Sequence, residues 1–237
     1  MTAEDKVVGV IGGMGPDATI DFMTRVLRCT PAKVDQDHVR MLVDQNPRIP
    51  SRQLAMKGEG EDPGRALAAS AAGLEAGGAE FIVMPCNSAH AWENDIRAAI
   101  AIPFVSIVDT SVSRARQSAG NGPIGLLTTP GCFAAGLYQS ALADGQRVLQ
   151  TADELDDTLA FVDRIKAGDK SGDVETGLRE LGKRLVTRGA KALIAACTEL
   201  PLVLDQSMFS VPLVLSTEVL AEKTVALALG QEPLPGE

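Results

Sequence analysis

Aromatic side chains are scarce in this chain. They make up 3% of 237 residues, with one tryptophan and one tyrosine. A stacking platform for single-stranded nucleic acid needs several rings on one surface, so that class is disfavoured. Positive charge is also in deficit. Lys and Arg number 22 against 31 Asp and Glu, giving a formal net charge of −9. That balance argues against a phosphate backbone as partner. There are two histidines, His38 and His90, and four cysteines, Cys29, Cys86, Cys132 and Cys197. No cysteine pair has CxxC spacing, so neither a zinc site nor a thioredoxin-like redox pair is expected. No apolar run reaches the length of a membrane span. The N-terminus, MTAEDKVVGVIGG, is acidic and passes directly into a strand pattern. It lacks a basic segment ahead of an apolar stretch, so no signal peptide is expected. The cysteines are then expected as reduced thiols in the cytoplasm.

What remains is ordinary globular composition, with 45% hydrophobic and 22% charged residues. The core must be built from Ala, Val, Leu and Ile. The length allows one large α/β domain or two small ones. Short apolar runs alternate with longer helical patterns. Strands are predicted at Lys6–Ile11, Val39–Asp44, Phe81–Met84, Phe104–Val108, Ile124–Leu127, Gln146–Leu149, Ala192–Ala195 and Leu213–Leu215. Helices are predicted at Asp17–Cys29, with Pro16 suited to the first turn, and at Gly64–Ala76, Ser88–Ile100 and from about Thr110. Gln45–Pro63 carries Pro47, Pro50, Gly58 and Gly60 and reads as loop around a short helix. Alternating strand and helix implies a mostly parallel sheet covered on both faces.

The chain also repeats itself. Gly78-Ala79 and Gly189-Ala190 each follow an amphipathic helix and each precede a cysteine, Cys86 or Cys197, by the same eight residues. The strands between read EFIVMPC and KALIAAC. A polar pair follows each cysteine, Asn87-Ser88 or Thr198-Glu199, and later a Pro-led strand, IPFVSIV or VPLVL. The starts match as well: GVIGGMG aligns with GLLTTPG and sets Phe22 opposite Tyr138. Two copies of one α/β unit of roughly 110 residues explain this pattern.

Ligands of parallel sheets bind beyond the C-terminal ends of the strands, where both cysteines fall. Two similar domains facing each other would set the thiols across one cleft. A cysteine at a helix N-terminus is expected to ionise more readily, since the helix dipole favours thiolate. One thiolate could then remove an α-proton while the other thiol delivers one to the opposite face, inverting a stereocentre. Backbone N–H groups at the two helix starts could stabilise the carbanion. A lone cysteine at a strand end is more often a small buried hydrophobe, and that reading is preferred for Cys29 and for Cys132 taken alone. His90 lies four residues past Cys86, where a thiolate–imidazolium pair competes with a structural histidine. A rival reading is nucleotide binding: GMGPDA at 13–18 fits G-x-G-x-x-A, and Asp44 ends the next strand. The repeated cysteines have no role in that reading. A non-catalytic ligand-binding module is a further rival.

IGGMGPDAT, NPRIPSR, MPCNSAH, the TPG turn at 129–131, IKAG at 165–168 and ACTELP together resemble the aspartate/glutamate racemase superfamily, in particular its aspartate racemase branch. The resemblance runs from about Lys6 to Ala226. It implies α/β architecture: two similar parallel-sheet domains related by a pseudo-twofold axis, with the active site in the cleft between them. Residues 1–108 with 214–237 would form the first domain and 109–213 the second. It implies Cys86 and Cys197 as the catalytic pair, no pyridoxal phosphate or other cofactor, no metal, a small amino-acid substrate and a homodimer. Substrate contacts carry over onto Met14, Arg52, Asn87, Ser88, Lys166 and Thr198. Glu199 would support the second thiol, and Thr129, in the TPG turn before Tyr138, is a further supporting residue. Hydroxyl, amide and N–H donors such as Asn87, Ser88 and Thr198 suit an α-carboxylate, and Arg or Lys suits a side-chain carboxylate. Arg48 reads better as solvated surface. The family often has Asp where Ser51 stands, Thr where Cys132 stands, and an Asp near Leu215. These departures bear on the choice of substrate, and Cys132 could add a third thiol near the site. Relatives of this architecture also include maleate isomerases, arylmalonate decarboxylases and hydantoin racemases.

Overall fold

The computed structural model describes residues 5–236. Two compact units emerge, one of residues up to 107 together with 220 onward, the other of residues 108–219. In the first, β1 (Val8–Gly12), α1 (Pro16–Cys29), β2 (Met41–Gln45), α2 (Arg52–Lys57), α3 (Gly64–Ala76), β3 (Phe81–Val83), α4 (Glu93–Ala99) and β4 (Phe104–Val105) succeed one another. The second holds α5 (Ile107–Ala119), β5 (Ile124–Leu127), α6 (Pro130–Ala134), α7 (Leu137–Ala141), β6 (Arg147–Val148), α8 (Ala152–Lys166), α9 (Gly172–Thr187), β7 (Ala192–Ala195) and β8 (Leu213–Leu215). α10 (Ser216–Ala228) ends the chain's regular structure, and its residues from 220 count with the first unit. Among the described residues no helix is long and apolar enough to cross a membrane.

Each unit carries a four-stranded parallel sheet, ordered β2-β1-β3-β4 in one and β6-β5-β7-β8 in the other. The α/β reading with two similar parallel sheets is what the fold shows. β8 pairs with β7, so Leu213–Leu215 closes the second sheet and the chain returns to the first unit only at Leu220. Each sheet packs its own core. Ile11, Leu67, Ile82, Met84 and Phe104 lie in one, and Leu127, Leu178, Leu185, Leu193 and Leu200 in the other. These residues are overwhelmingly aliphatic, as the aromatic shortage requires.

The repeat extends to single hydrogen bonds. α3 ends with Gly78 N–H donating to the Glu75 carbonyl and Ala79 N–H to that of Leu74. α9 ends with Gly189 N–H to Val186 and Ala190 N–H to Leu185. This paired closure needs a left-handed residue after the helix, and φ is +97° at Gly78 and +104° at Gly189. The next residues join their sheets identically, Glu80 N–H to the Val7 carbonyl and Lys191 N–H to that of Pro123. The central strands make room for these helices in the same way. A Cβ on Gly9 would stand 2.5 Å from Ile82 Cδ1 and 2.9 Å from the Cβ of Ala79. One on Gly125 would stand 2.6 Å from Leu193 Cδ2 and 3.1 Å from the Cβ of Ala190.

One expected helix is shortened and another is absent. Ser88–Ile100 is divided into a 3-10 turn at Ser88–Trp92 and the short α4. In an α-helix the His90 N–H would reach the Cys86 carbonyl. Here it bonds Asn87 instead, and the imidazole Nδ1 takes the Cys86 carbonyl at 2.9 Å. The ring thus replaces the backbone donor and the turn closes one residue tighter. After Cys197 only a 3-10 turn at Leu200–Leu202 forms, begun by Pro201. Strand ends at β1, β2, β3, β4 and β6 also move by one to three residues from their expected positions.

Two stability outcomes follow from this packing. Gly9→Ala and Gly125→Ala should each lower unfolding free energy by about 1–3 kcal/mol, because each forces a methyl into a filled helix–sheet contact. Urea titration of the two variants measures this. Glu154 is buried against Arg188, with Oε2 at 2.6 Å from Nη2 and Oε1 at 3.0 Å from Nη1. The Arg188 hydrogen bond holds its carboxyl below the ordinary 4.5. A depressed carboxylate adds stability above its unfolded value and loses it as pH falls through the folded one. Glu154→Gln should therefore cost about 1–3 kcal/mol at neutral pH, and the difference from wild type should shrink below pH 4.5.

Candidate active site

Each candidate site begins where a central strand pair ends. Val10 is level with Val83 in β1–β3, so Gly13-Met14 and Cys86-Asn87 leave the first sheet side by side. Leu127 is level with Ala195 in β5–β7, so Thr128-Thr129 and Ala196-Cys197 do the same in the second. There the Thr128 hydroxyl donates to the Ala196 carbonyl at 3.4 Å.

In the first unit Met14 and Cys86 are buried in one apolar cluster with Ile49 and Met84. Asn87 is buried and Ser88 half-buried, its Oγ 3.8 Å from Cys86 Sγ. His90 is buried, its Nδ1 on the Cys86 carbonyl and its Nε2 3.1 Å from the Ile107 N–H. An amide can only donate, so Nε2 accepts, Nδ1 carries the proton and the ring is neutral. That geometry assigns His90 the structural role and removes the imidazolium alternative. Arg52 Nη1 donates to the carbonyls of Ile49 (3.0 Å) and Pro50 (2.6 Å), pinning its own loop. Ser51 caps α2, accepting the Leu54 N–H at 3.4 Å. The glycine-rich first loop is also occupied, since the Gly13 N–H donates to Thr19 Oγ1 at 2.9 Å. That N–H is therefore spent within the protein rather than offered to a nucleotide phosphate.

In the second unit Glu199 is the hub. Its carboxylate is almost wholly buried, and its Oε2 accepts the Cys197 thiol at 3.0 Å and the Thr198 hydroxyl at 3.5 Å. Lys166, at the end of α8, places Nζ 3.7 Å from Oε1. Lys166 is itself 40% exposed, so one face of this cluster reaches solvent. Burial and then the Glu199 charge push the Cys197 thiol well above its ordinary range, and Lys166 offsets this in part. The expected dipole-lowered thiol is thus not found here. A three-residue 3-10 turn carries little dipole, and a carboxylate 3.0 Å away opposes thiolate directly. Thr129, Cys132 and Tyr138 are all buried in this unit. Burial foremost, then Cys132, raises the Tyr138 phenol and keeps it neutral.

Gln150 is a residue that the sequence reading missed. Its side chain is buried, accepts the Thr128 N–H at 2.7 Å and donates to Thr158 Oγ1 at 2.7 Å and the Glu154 carbonyl at 3.0 Å. It anchors the turn that leaves the sheet beside Cys197. A polar residue directly before a Thr–x–x–Glu helix start at 151–154 is the only local signal. Among the described residues no group of three or more His, Cys, Asp or Glu side chains is arranged to hold a metal ion.

Comparison with known proteins agrees with this architecture over nearly the whole chain. The chain is 26% identical over 236 residues to the broad specificity amino-acid racemase RacX of Bacillus subtilis, covering 95% of this chain and all of that one. The structure of Picrophilus torridus aspartate racemase superposes with a TM-score of 0.80 at 29% identity, covering 97% of this chain and 96% of the other. The glutamate racemase of Francisella tularensis, at 19% identity and a TM-score of 0.68, shares the fold over 99% of this chain and 85% of its own. The Asp/Glu/Hydantoin racemase family matches residues 11–224. Both cysteine-bearing strand ends and the whole second sheet lie inside that match, as does the first sheet apart from the start of β1, and the chain belongs to the Asp/Glu/Hydantoin racemase family.

Proposed function

We propose that this protein is an amino-acid racemase that inverts the α-carbon of an acidic amino acid without pyridoxal phosphate, using Cys86 and Cys197 as its two acid–base groups. The observation that carries this reading is the equivalence of the two thiols. Each stands five residues after the first residue of its strand, Phe81 or Ala192, in a chain whose family performs racemisation. One thiolate takes the α-hydrogen as a proton; the C–H bond breaks and an S–H bond forms. The other thiol gives its proton to the opposite face of the carbanion, and its S–H bond breaks as the new C–H bond forms. The reverse reaction uses the same groups with roles exchanged.

Recognition follows from chemistry already described. Asn87, Ser88 and Thr198 offer short donors for the α-carboxylate, and Met14 an apolar wall. Lys166 is the cation beside a thiol that is partly open to solvent, and it supports binding of a side-chain carboxylate. Glu199 orients the Cys197 thiol through its hydrogen bond, and Thr129 shapes the turn next to it. Arg52 holds its loop through Nη1, which donates to two backbone carbonyls, while its buried Nε has no hydrogen-bond partner and is left as a donor for substrate. The full-length similarity to a broad specificity racemase favours a second reading in which neutral amino acids are also accepted. A cytoplasmic homodimer is the setting that the reading implies.

Chiral analysis of L-aspartate, L-glutamate and a neutral panel, incubated with reduced protein and no added cofactor, should show D-product. Cys86→Ser and Cys197→Ser should each cut the rate by at least about 100-fold, the worth of a positioned acid or base. In D2O the product should carry deuterium at the α-carbon. Retained activity in both serine variants would refute the two-thiol mechanism. Lys166→Met should raise KM for dicarboxylic substrates by about tenfold or more while changing it little for alanine. An equal change for both would remove Lys166 from side-chain recognition and favour the broader reading.

A further inference from the structure

The two thiols occupy equivalent places but have unlike partners. Ser88 and Glu199 each stand two residues past their cysteine, and each is the side chain at that cysteine's sulfur. Ser88 is neutral, and its Oγ lies 3.8 Å from Cys86 Sγ. A hydroxyl can accept from a thiol or donate to a thiolate, so it tolerates both states. Glu199 lies 3.0 Å from Cys197 Sγ, almost wholly buried, with Lys166 on its other oxygen. An ionised carboxylate only accepts, and a thiolate at that distance would set two negative charges together in a partly desolvated site.

We propose that the free enzyme keeps its transferable proton on Cys197, held there by Glu199, so that Cys86 is the base that begins turnover from the resting state. This rests on the two-thiol reading above and assigns the order within it. Starting from rest, Cys86 thiolate takes the α-proton and becomes a thiol. Cys197 then protonates the opposite face and is left as thiolate beside Glu199. The resting form is restored when Cys86 releases its proton to water and Cys197 takes one from water, with no net change. The enantiomer whose α-hydrogen faces Cys86 thus meets the resting form directly. Its mirror image requires the form with the proton moved.

The groups around each sulfur agree with this order. Around Cys197 these are Glu199 on its own loop, Lys166 from α8 and Tyr138 from α7. Lys166 is the cation of the set and is held on Glu199, and burial keeps Tyr138 neutral. Asp109 and Cys132 face that tyrosine. At Cys86 the neighbouring His90 is neutral by its hydrogen bonds.

The test needs no substrate, so its failure is separate from failure of the racemase reading. Full-length protein is alkylated with iodoacetamide across about pH 6 to 10. Mass spectrometry then gives a rate for each cysteine. The midpoint of each site's own pH profile reports its ionisation, while access alters only the plateau. The Cys86 midpoint should lie at least one unit below that of Cys197. Glu199→Gln should lower the Cys197 midpoint by about a unit or more, and Ser88→Glu should raise that of Cys86. If burial slows Cys86, the thiolate absorbance lost between wild type and Cys86→Ser on titration supplies the same midpoint. A Cys197 midpoint at or below that of Cys86, or one that Glu199→Gln leaves in place, would overturn the proposal.

Discussion

The contact on which the rest depends is the seating of a helix end against a central-strand glycine. At Gly9 and Gly125 a missing Cβ lets the Ile82 and Leu193 strands, and the alanines two residues ahead of them, close onto β1 and β5. The preceding helix is then stopped by a left-handed glycine and the chain enters the sheet at once. The distance from that glycine to the strand's end is short and has no slack. Cys86 and Cys197 are therefore delivered to the same point in each sheet, as far as the parallel registers determine it. The packing of the core and the position of the thiol are thus set by one steric constraint.

Beyond the strand ends the two units part company. In the first, a histidine ring takes over a backbone donor's task and bonds Cys86 and Ile107 together, and the hydroxyl of Ser88 faces the sulfur. In the second, a nearly buried carboxylate gathers a thiol, a hydroxyl and an ammonium group. Exact repetition of the unit would give two like thiols. The residues at 88 and 199 make them chemically unequal while leaving the fold alone. A reaction that needs one acid and one base at each moment is served by that inequality, since two like thiols would have no fixed order of protonation.

A buried carboxylate near a thiol is costly unless it is satisfied, and Glu199 is satisfied by donors drawn from separate elements. Lys166 comes from the end of α8, and Thr198 and Cys197 from the loop after β7. Gln150 works similarly on the adjoining turn, tying Thr128 to Thr158 and to the Glu154 backbone. These polar links join segments that neither helix propensity nor strand pattern relates.

Much of this was legible in the residues alone. Glycine-terminated helices, short aliphatic strands and the matched cysteines are local patterns, and each depends on neighbours within a few positions. They determined the α/β class, the two similar parallel sheets and the place of both thiols at strand ends. What tertiary structure decided was the environment of those thiols. The 3-10 turn after Cys86 exists because His90 reaches Ile107, 17 residues on. The state of Cys197 depends on a side chain two residues away and on Lys166, brought over from another helix. Desolvation and charge act through space rather than along the chain, so the ionisation of a thiol could be set only once the chain had folded around it.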